Sequence, residues 1–422
     1  VDNGVTLAST GADTGATRNY PVKDNGAVLQ VGNLAKTTLS VTGATDSAQG
    51  NLIVGQEGAA SQVVLKGNSV QLDATNKLAM ASSTELATRS LGLGGRRVAI
   101  GADDTTGLDN TTLSISGKLL DAANKADRLA LRSYTSIDFH GSVQLGSAQM
   151  SQLTLDAPQL LGRGQATDTA QITARDVVLA NSSGRSAPAQ TERETGTSSL
   201  LIKAAPVLKD GHTGGLTIAA SAAEQQQGTP AGQRLGFTRS TLASTGDIVF
   251  EGKGQTTAQG DLTLDAARVT ATSNADQQVD ANGALVITRA AGGKTLGESV
   301  GAGGKLGLSG TTVTQNGLID IEAGRLNLLG RGPATQADTL VFSAGSETRV
   351  DGRLRKVSDT YAVASGGGQI TAQAQTGRLG VDGLLSAAAP VMPTGYTGGN
   401  PQAGSSQLQA TGGASASSIP AR

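Results

Sequence analysis

The chain is 422 residues long, with 59 Gly, no Cys, no Trp, four Phe and four Tyr, and its 33 Lys and Arg nearly balance 34 Asp and Glu, for a net charge of −1. The lack of Cys excludes disulfides, Cys-ligated zinc and thiol catalysis. The charge balance leaves no basic footprint for nucleic acid, and no stretch approaches the roughly 20 apolar residues needed to span a bilayer. With 37% apolar residues but so few rings, the core must be built from Leu, Val, Ile and Ala, and is expected to be narrow, with little room for aromatic side chains.

Read from the start, VDNGVTLAST has no Met, basic segment or apolar segment, as expected of a processed chain or an internal fragment. Aliphatic residues then recur as pairs two apart: Leu29 with Val31, Leu39 with Val41, Leu52 with Val54. Val63/Leu65, Val70/Leu72, Leu78/Met80, Leu91/Leu93 and Val98/Ile100 follow, and DRLALRSYTSIDFHGSVQL supplies Leu129/Leu131, Ile137/Phe139 and Val143/Leu145. Further pairs are Leu153/Leu155, Val177/Leu179, Ile248/Phe250, Leu262/Leu264 and Leu285/Ile287, then Leu306/Leu308, Ile319/Ile321, Leu326/Leu328 and Leu340/Phe342. A spacing of two puts both members on one face of a strand.

The distance between pairs selects the architecture. Steps of seven or eight are grouped into a longer period: Leu262 and Leu285 are 23 residues apart, Leu306 and Leu326 are 20 apart. A sandwich uses longer strands with turn signals every 8–12 residues. The pattern here predicts an all-β chain forming a right-handed parallel β-helix, a solenoid with three short strands per coil and about 13–16 coils at roughly 4.8 Å each. One coil buries only about six such side chains, at ~1.5–3 kcal/mol each, against ~1–2 kcal/mol of ordering cost for every residue. Its stability must come from stacking on its neighbours.

The solenoid is expected over 1–384. Polar, Gly-rich gaps predict loop insertions near 101–110, 182–199, 222–234, 290–304 and 357–368. From 385 to 422 the pairs stop, and an Ala/Ser/Gly/Pro-rich composition predicts a low-complexity tail, either flexible or held by packing.

Units of the form G-x-L-x-L-x-A occur as GDLTLDAARV (260–269), SQLTLDAPQLLG (151–162) and NSVQLDATNKL (68–78), with an Ile variant in LIDIEAGRLNLLGRG (318–332). Together with LRSYTSIDFHGSVQLG (131–146) they make the chain, over 27–380, similar to the filamentous haemagglutinin-like exoproteins of bacterial two-partner secretion. That resemblance implies a secreted or cell-surface protein of a Gram-negative bacterium, exported by an outer-membrane partner transporter. It implies adhesion, matrix formation or filament assembly rather than catalysis, with a host or neighbouring-cell glycan or protein as ligand. End-to-end self-association into filaments is a physical option, because terminal strands offer unpaired backbone groups. The other class is a β-helix polysaccharide lyase or hydrolase; absent Trp and carboxylates that do not recur on adjacent coils weigh against it. A stalk presenting an effector outside this chain is a further alternative.

Specific side chains predict no catalytic, cofactor or metal site. Asp103, Asp104 and Asp109 share one loop and could offer oxygens to Ca²⁺, but their spacing fits neither an EF-hand nor the nonapeptide repeat. GAGGKLGLSG (301–310) lacks the Gly-Lys-Ser/Thr ending of a phosphate loop. His140, outward by alternation, and His212, in a Gly-rich turn, are read as solvated. Glu192, Arg193 and Glu194 read as an exposed loop. Asn68, Asn76, Asn181 and Asn316 read as corner residues that tolerate left-handed backbone or hydrogen-bond nearby main chain.

Overall fold

The computed structural model describes residues 1–11, 15, 17–34, 36–42, 48–103, 107–185, 195–205, 213–219, 232–295, 297, 299–332, 338–411 and 414–416. With 54% strand and, among the described residues, one α-helix, the chain is nearly all-β. It divides into two compact units, the first Val1–His212 with Ala220–Thr238, the second Thr213–Ala219 with Arg239–Arg422.

Parallel ladders dominate the first unit. The strands Ser69–Ala74, Ser90–Gly95, Arg128–Ser133, Gln152–Asp156 and Asp176–Ala180 pair in succession, all parallel. A second series joins Thr112–Ile115, Arg97–Ile100, Ile137–Phe139, Gln159–Gly162 and Gly232–Gly236. A third joins Val143–Gly146, Thr169–Ala174 and Ser199–Ala204. Consecutive strands of the chain thus enter different series, and register partners such as Arg132 and Asp156 lie 24 residues apart.

The second unit repeats the arrangement. One series runs from Gly215–Ala219 through Arg239–Glu251, Asp261–Ala271, Leu285–Arg289, Val313–Asn316, Asp338–Phe342 and Arg378–Val381 to Ala414–Ala416. Another runs from Lys253–Ala258 through Asp276–Ala281, Lys305–Gly310, Arg325–Gly330 and Gln369–Ala374 to Ser405–Ala410. Leu262 pairs with Leu285 and Leu306 with Leu326, so both distances singled out in the sequence are register distances.

The aliphatic pairs are what these ladders bury. From Val63 to Phe342 every pair named above has both members buried, except that Met80 is half-buried. All four Phe are also fully buried, contrary to the expectation that the interior would leave little room for rings. Glycine makes that room: a Cβ on Gly162 would sit 2.6 Å from Phe237 Cδ1. Phe237 and Phe139 then meet at 6.1 Å between centroids, tilted by 50°.

The ladder edges are covered by one strand the pattern marked, in an unexpected direction, and by a helix it did not. Ala27–Gly32, with the Leu29/Val31 pair, lies antiparallel on Ser69–Ala74, setting Leu29 against Leu72 and Val31 against Val70. The helix α1 (Gly117–Lys125) buries Ala123. Its Asn124 donates to Gln144 O at 3.2 Å and accepts from Gly146 N at 2.7 Å, so one amide stands in for a strand beside Val143–Gly146.

Two expected non-solenoid segments also carry strands. In 357–368, Ala362–Ala364 forms an antiparallel hairpin with Leu354–Lys356. In 385–422, Ser405–Ala410 and Ala414–Ala416 continue the ladders. Backbone pairing needs no aliphatic side chain, which is why the composition hid them. Most of 222–234 lies outside the described residues.

Burial of this kind predicts a sharp asymmetry between faces. Leu264→Ala, in the interior between Leu242 and Ile287, is expected to lower the unfolding free energy by about 2–5 kcal/mol. Thr263→Ala, on the half-exposed face one residue away, is expected to change it by less than about 0.5 kcal/mol. Urea denaturation followed by circular dichroism checks both.

Candidate functional site

In the first unit, the outward positions of neighbouring strands align into columns. One column runs Gln71, Gly92, Ala130, Thr154; the next runs Asp73, Gly94, Arg132, Asp156. The strand SLGLGG therefore contributes no outward side chain beyond Ser90, and the space over its two glycines is taken by the Gln71 and Asp73 side chains of the preceding strand. A Cβ on Gly92 would fall 1.7 Å from Gln71 Oε1, and one on Gly94 would fall 2.0 Å from Asp73 Oδ2. Here glycine is required by close approach.

Beside these side chains lies a partly open cavity of about 210 Å³, lined by Leu39, Gln71, Asp73, Ser90, Arg132 and Asp156 among others. Leu39 comes from Lys36–Thr42, which pairs with Thr17–Lys23 and with no other strand among the described residues. Its carbonyl accepts a 2.5 Å bond from Arg132 Nη2.

A closed ionic network forms one wall. Arg132 Nη1 is 3.3 Å from Asp73 Oδ2 and Nε is 3.0 Å from Asp156 Oδ2. Tyr134 donates to Asp73 Oδ1 at 2.5 Å. Ser182 donates to Asp156 through its backbone N at 2.6 Å and through its hydroxyl. Asp73 and Asp156 are almost wholly buried, as is the Tyr134 ring. Burial pushes the Asp73 carboxyl above the usual aspartate range despite the Arg132 charge and the Tyr134 bond. Burial, then the Asp73 charge, raises the Tyr134 phenol. For Arg132, burial opposes the charge, but Asp156 and Asp73 outweigh it and hold the guanidinium firmly protonated.

The second unit carries its own ionic chain. Arg268 forks onto the buried Asp247 at 2.5 and 3.2 Å. Arg353 reaches Asp320 at 2.5 Å, and both Nη atoms of Arg355 reach the buried Glu322 at 2.5 Å, joined by Ser365 Oγ at 3.0 Å. These pairs fasten the hairpin of Leu354–Lys356 and Ala362–Ala364, which displays Val357, Tyr361 and Val363 to solvent. Burial pushes the Glu322 carboxyl up, but the hydrogen bonds from Arg355, Ser299 and Ser365 outweigh it and hold it below the glutamate range.

The residues weighed in the sequence fall elsewhere. Asp109 accepts from Thr111 N at 2.9 Å and Thr111 Oγ1 at 3.0 Å, a local turn that holds its carboxyl low. Among the described residues no three His, Asp or Glu side chains gather as a metal site. Asp104, Glu192, Arg193, Glu194 and His212 lie outside the described residues. His140 is not solvated as expected: it is half-buried, its Nε2 has no partner, and burial lowers its pKa against the Asp138 charge. Lys305–Gly310, from the glycine-rich segment, is a ladder strand.

None of the four asparagines takes left-handed backbone, since the only non-glycine residues with positive φ are Asp24 and Ala323 among the described residues, and three of them work through side chains. Asn76 donates to Asn51 Oδ1 at 2.7 Å and Ala48 O at 3.1 Å, and Asn181 donates to Arg185 O at 2.7 Å and Gly232 O at 2.9 Å. Asn68 donates to Asn33 O at 3.4 Å, and Asn316 ends a strand, exposed.

Comparison of the chain with family models, with curated proteins and with solved structures gives no match.

Two outcomes follow from the ionic groups. Arg132→Met strands two buried carboxylates, and about 3–5 kcal/mol of stability is expected to be lost at neutral pH. Asp73, already raised by burial, then loses the Arg132 charge that lowered it and binds its proton more tightly folded than unfolded, so this variant's stability falls as pH rises through the aspartate range and recovers on acidification, as urea unfolding at several pH values checks. Glu322 has the opposite sign. Its contribution is present above the ordinary glutamate value and lost as pH falls through its depressed one, so hydrogen-exchange protection over 353–365, taken relative to the intrinsic rate at each pH, is expected to fall on acidification. In Glu322→Gln that fall in protection is expected to be absent.

Proposed function

We propose that the chain is a right-handed parallel β-helix with three short strands per coil, serving as a non-enzymatic structural or adhesive exoprotein fragment. In this reading it is a stiff solenoid rod exported through an outer-membrane partner transporter and displayed at, or shed from, the surface of a Gram-negative bacterium. The observation that carries the reading is the register: within each unit, parallel partners about one coil apart in sequence stack aliphatic pair on aliphatic pair. Such a stack spends its inward positions on cohesion and leaves its outward ones for display.

Support for binding over catalysis comes from the cavity itself. Asp73 and Asp156 each accept bonds from Arg132 and from a hydroxyl group, so their oxygens serve the network rather than stand ready as a base. Support for a contact surface comes from the fastened hairpin, where Val357, Tyr361 and Val363 are exposed together.

Beads coated with the purified protein are expected to bind bacterial or epithelial cells saturably, with soluble protein competing. Beads that do not bind would overturn the adhesive reading. New reducing or unsaturated ends after incubation with polysaccharides would replace it with the lyase or hydrolase reading.

A further inference from the structure

We infer that the exposed edge of Ser405–Ala410 docks a second copy of this chain, whose own Ser405–Ala410 runs antiparallel to it about a two-fold axis at Leu408. The inference rests on the ladder geometry of the second unit and stands apart from the adhesive reading.

The first ground is an open row of backbone groups. Ser405–Ala410 ends its series and pairs only with Gln369–Ala374 among the described residues. Ser405 N donates to Gly368 O at 3.0 Å, and Thr411 N donates to Ala374 O at 3.3 Å. Successive residues of a strand turn their N–H and C=O groups to opposite sides, so Ser405, Gln407 and Gln409 bond that neighbour. The backbone groups of Ser406, Leu408 and Ala410 point the other way, where no described strand meets them. Such an edge is ordinarily blunted by charge, proline or a bulge. SSQLQA has no charge and no proline, and its register on Gln369–Ala374 is unbroken.

The second ground is that this edge complements itself. Residues directly opposite in an antiparallel pair share a face. Ser406, Leu408 and Ala410 lie over the buried Ile370, Ala372 and Ala374, so they must meet the same three residues of the second copy. A two-fold axis at Leu408 sets Leu408 against Leu408 and Ser406 against Ala410, and all three open positions become hydrogen-bonded pairs. An axis at Gln407 or Gln409 leaves one of them beyond the paired strand. Leu408, half-buried in the single chain, gains an aliphatic neighbour on its open side. On the other face Gln407 meets Gln409, two exposed amides that donate and accept across the axis.

Symmetry limits the assembly. Both copies spend the same edge, so the pair closes at two chains. A head-to-tail stack would need an open first strand, and at Ser69–Ala74 that place is taken by Ala27–Gly32. A strand of this length, about 20 Å, offers less than the roughly 800 Å² per partner of a standard interface. The pairing is therefore expected to be reversible.

The test is sedimentation velocity on the full chain at rising concentration, where a reversible equilibrium between one and two chains is expected. Gln407→Lys with Gln409→Lys sets like charges opposite each other and is expected to weaken dimerisation about 10-fold. Gln407→Lys with Gln409→Glu sets unlike charges opposite each other in this register and is expected to stay within about 2-fold of wild type. Both positions are exposed, so both variants are expected to fold, as circular dichroism checks. The chain has no Cys, so introduced thiols read the register directly. A mixture of Gln407→Cys and Gln409→Cys proteins is expected to cross-link on oxidation, with facing Cα atoms about 4.5 Å apart, and either protein alone is not. Single chains at every concentration, growth beyond two chains, dimerisation indifferent to the paired lysine substitutions, or cross-linking of either protein alone as readily as the mixture would each overturn the inference. Cell binding by coated beads that persists alongside any of these results would leave the adhesive reading standing without this contact.

Discussion

Everything in the fold depends on the stacking of one aliphatic pair upon the next through a parallel, in-register ladder. Leu129 lies over Leu153, which lies over Val177; Leu131 lies over Leu155, which lies over Leu179. Each side chain is shielded by its neighbours on the paired strands, so no strand satisfies its own apolar surface and the inward positions are held by Leu, Val, Ile and Ala, with Phe admitted at Phe139, Phe250 and Phe342. A one-residue slip would turn every pair outward, and the alternation fixes the register against it. The outward columns carry no such demand. They can therefore hold glycine, glutamine or charge at a given rung without disturbing the interior, as at Gly92 and Gly94, where Gln71 and Asp73 take the space.

The outward columns also show how charge is tolerated when it is buried. Arg132 occupies the rung between two carboxylates: Asp73 lies two strands before it, across the Gly94 gap, and Asp156 lies on the next strand. Arg268 makes a comparable arrangement with Asp247 and, at 3.7 Å, Asp320. In each case guanidinium geometry suits the ladder, because its fork reaches carboxylates on both sides within the plane of the face. Such pairs add little net stability, since desolvation offsets attraction. They penalise any register that separates the partners.

Much of this was legible in the sequence because the signal is periodic and local. Pairs two apart mark strand faces, and the distances of 20 and 23 residues between pairs are true register distances. What stayed hidden depends on chain segments meeting across distance. Asn124 in α1 replaces a strand through one amide, which no periodicity records. Ser405–Ala410 pairs through its backbone, so its Ser- and Gln-rich composition concealed it. The network of Asp73, Arg132, Tyr134 and Asp156 joins residues up to 83 positions apart, and its members fall on the polar side of strands where solvated residues are the ordinary reading. One signal was available: SLGLGG puts glycine at two successive outward positions, unusual for a strand, since glycine there gives up both side-chain packing and backbone entropy unless something must come close.

The covered edges bear on how the chain can associate. Parallel strands paired in series leave an unpaired row of backbone groups wherever a series stops, and such a row templates further pairing. At Ser69–Ala74 that row is taken by Ala27–Gly32, whose antiparallel direction breaks the parallel repeat while still matching Leu29 to Leu72 and Val31 to Val70. At Val143–Gly146 it is met by Asn124. A second copy joining at the first of these edges would have to displace a strand that already makes both backbone and apolar contacts. Growth by added strands is therefore opposed there by the same pairing and packing that hold the ladder together, and contact through side surfaces such as the fastened hairpin costs no such displacement.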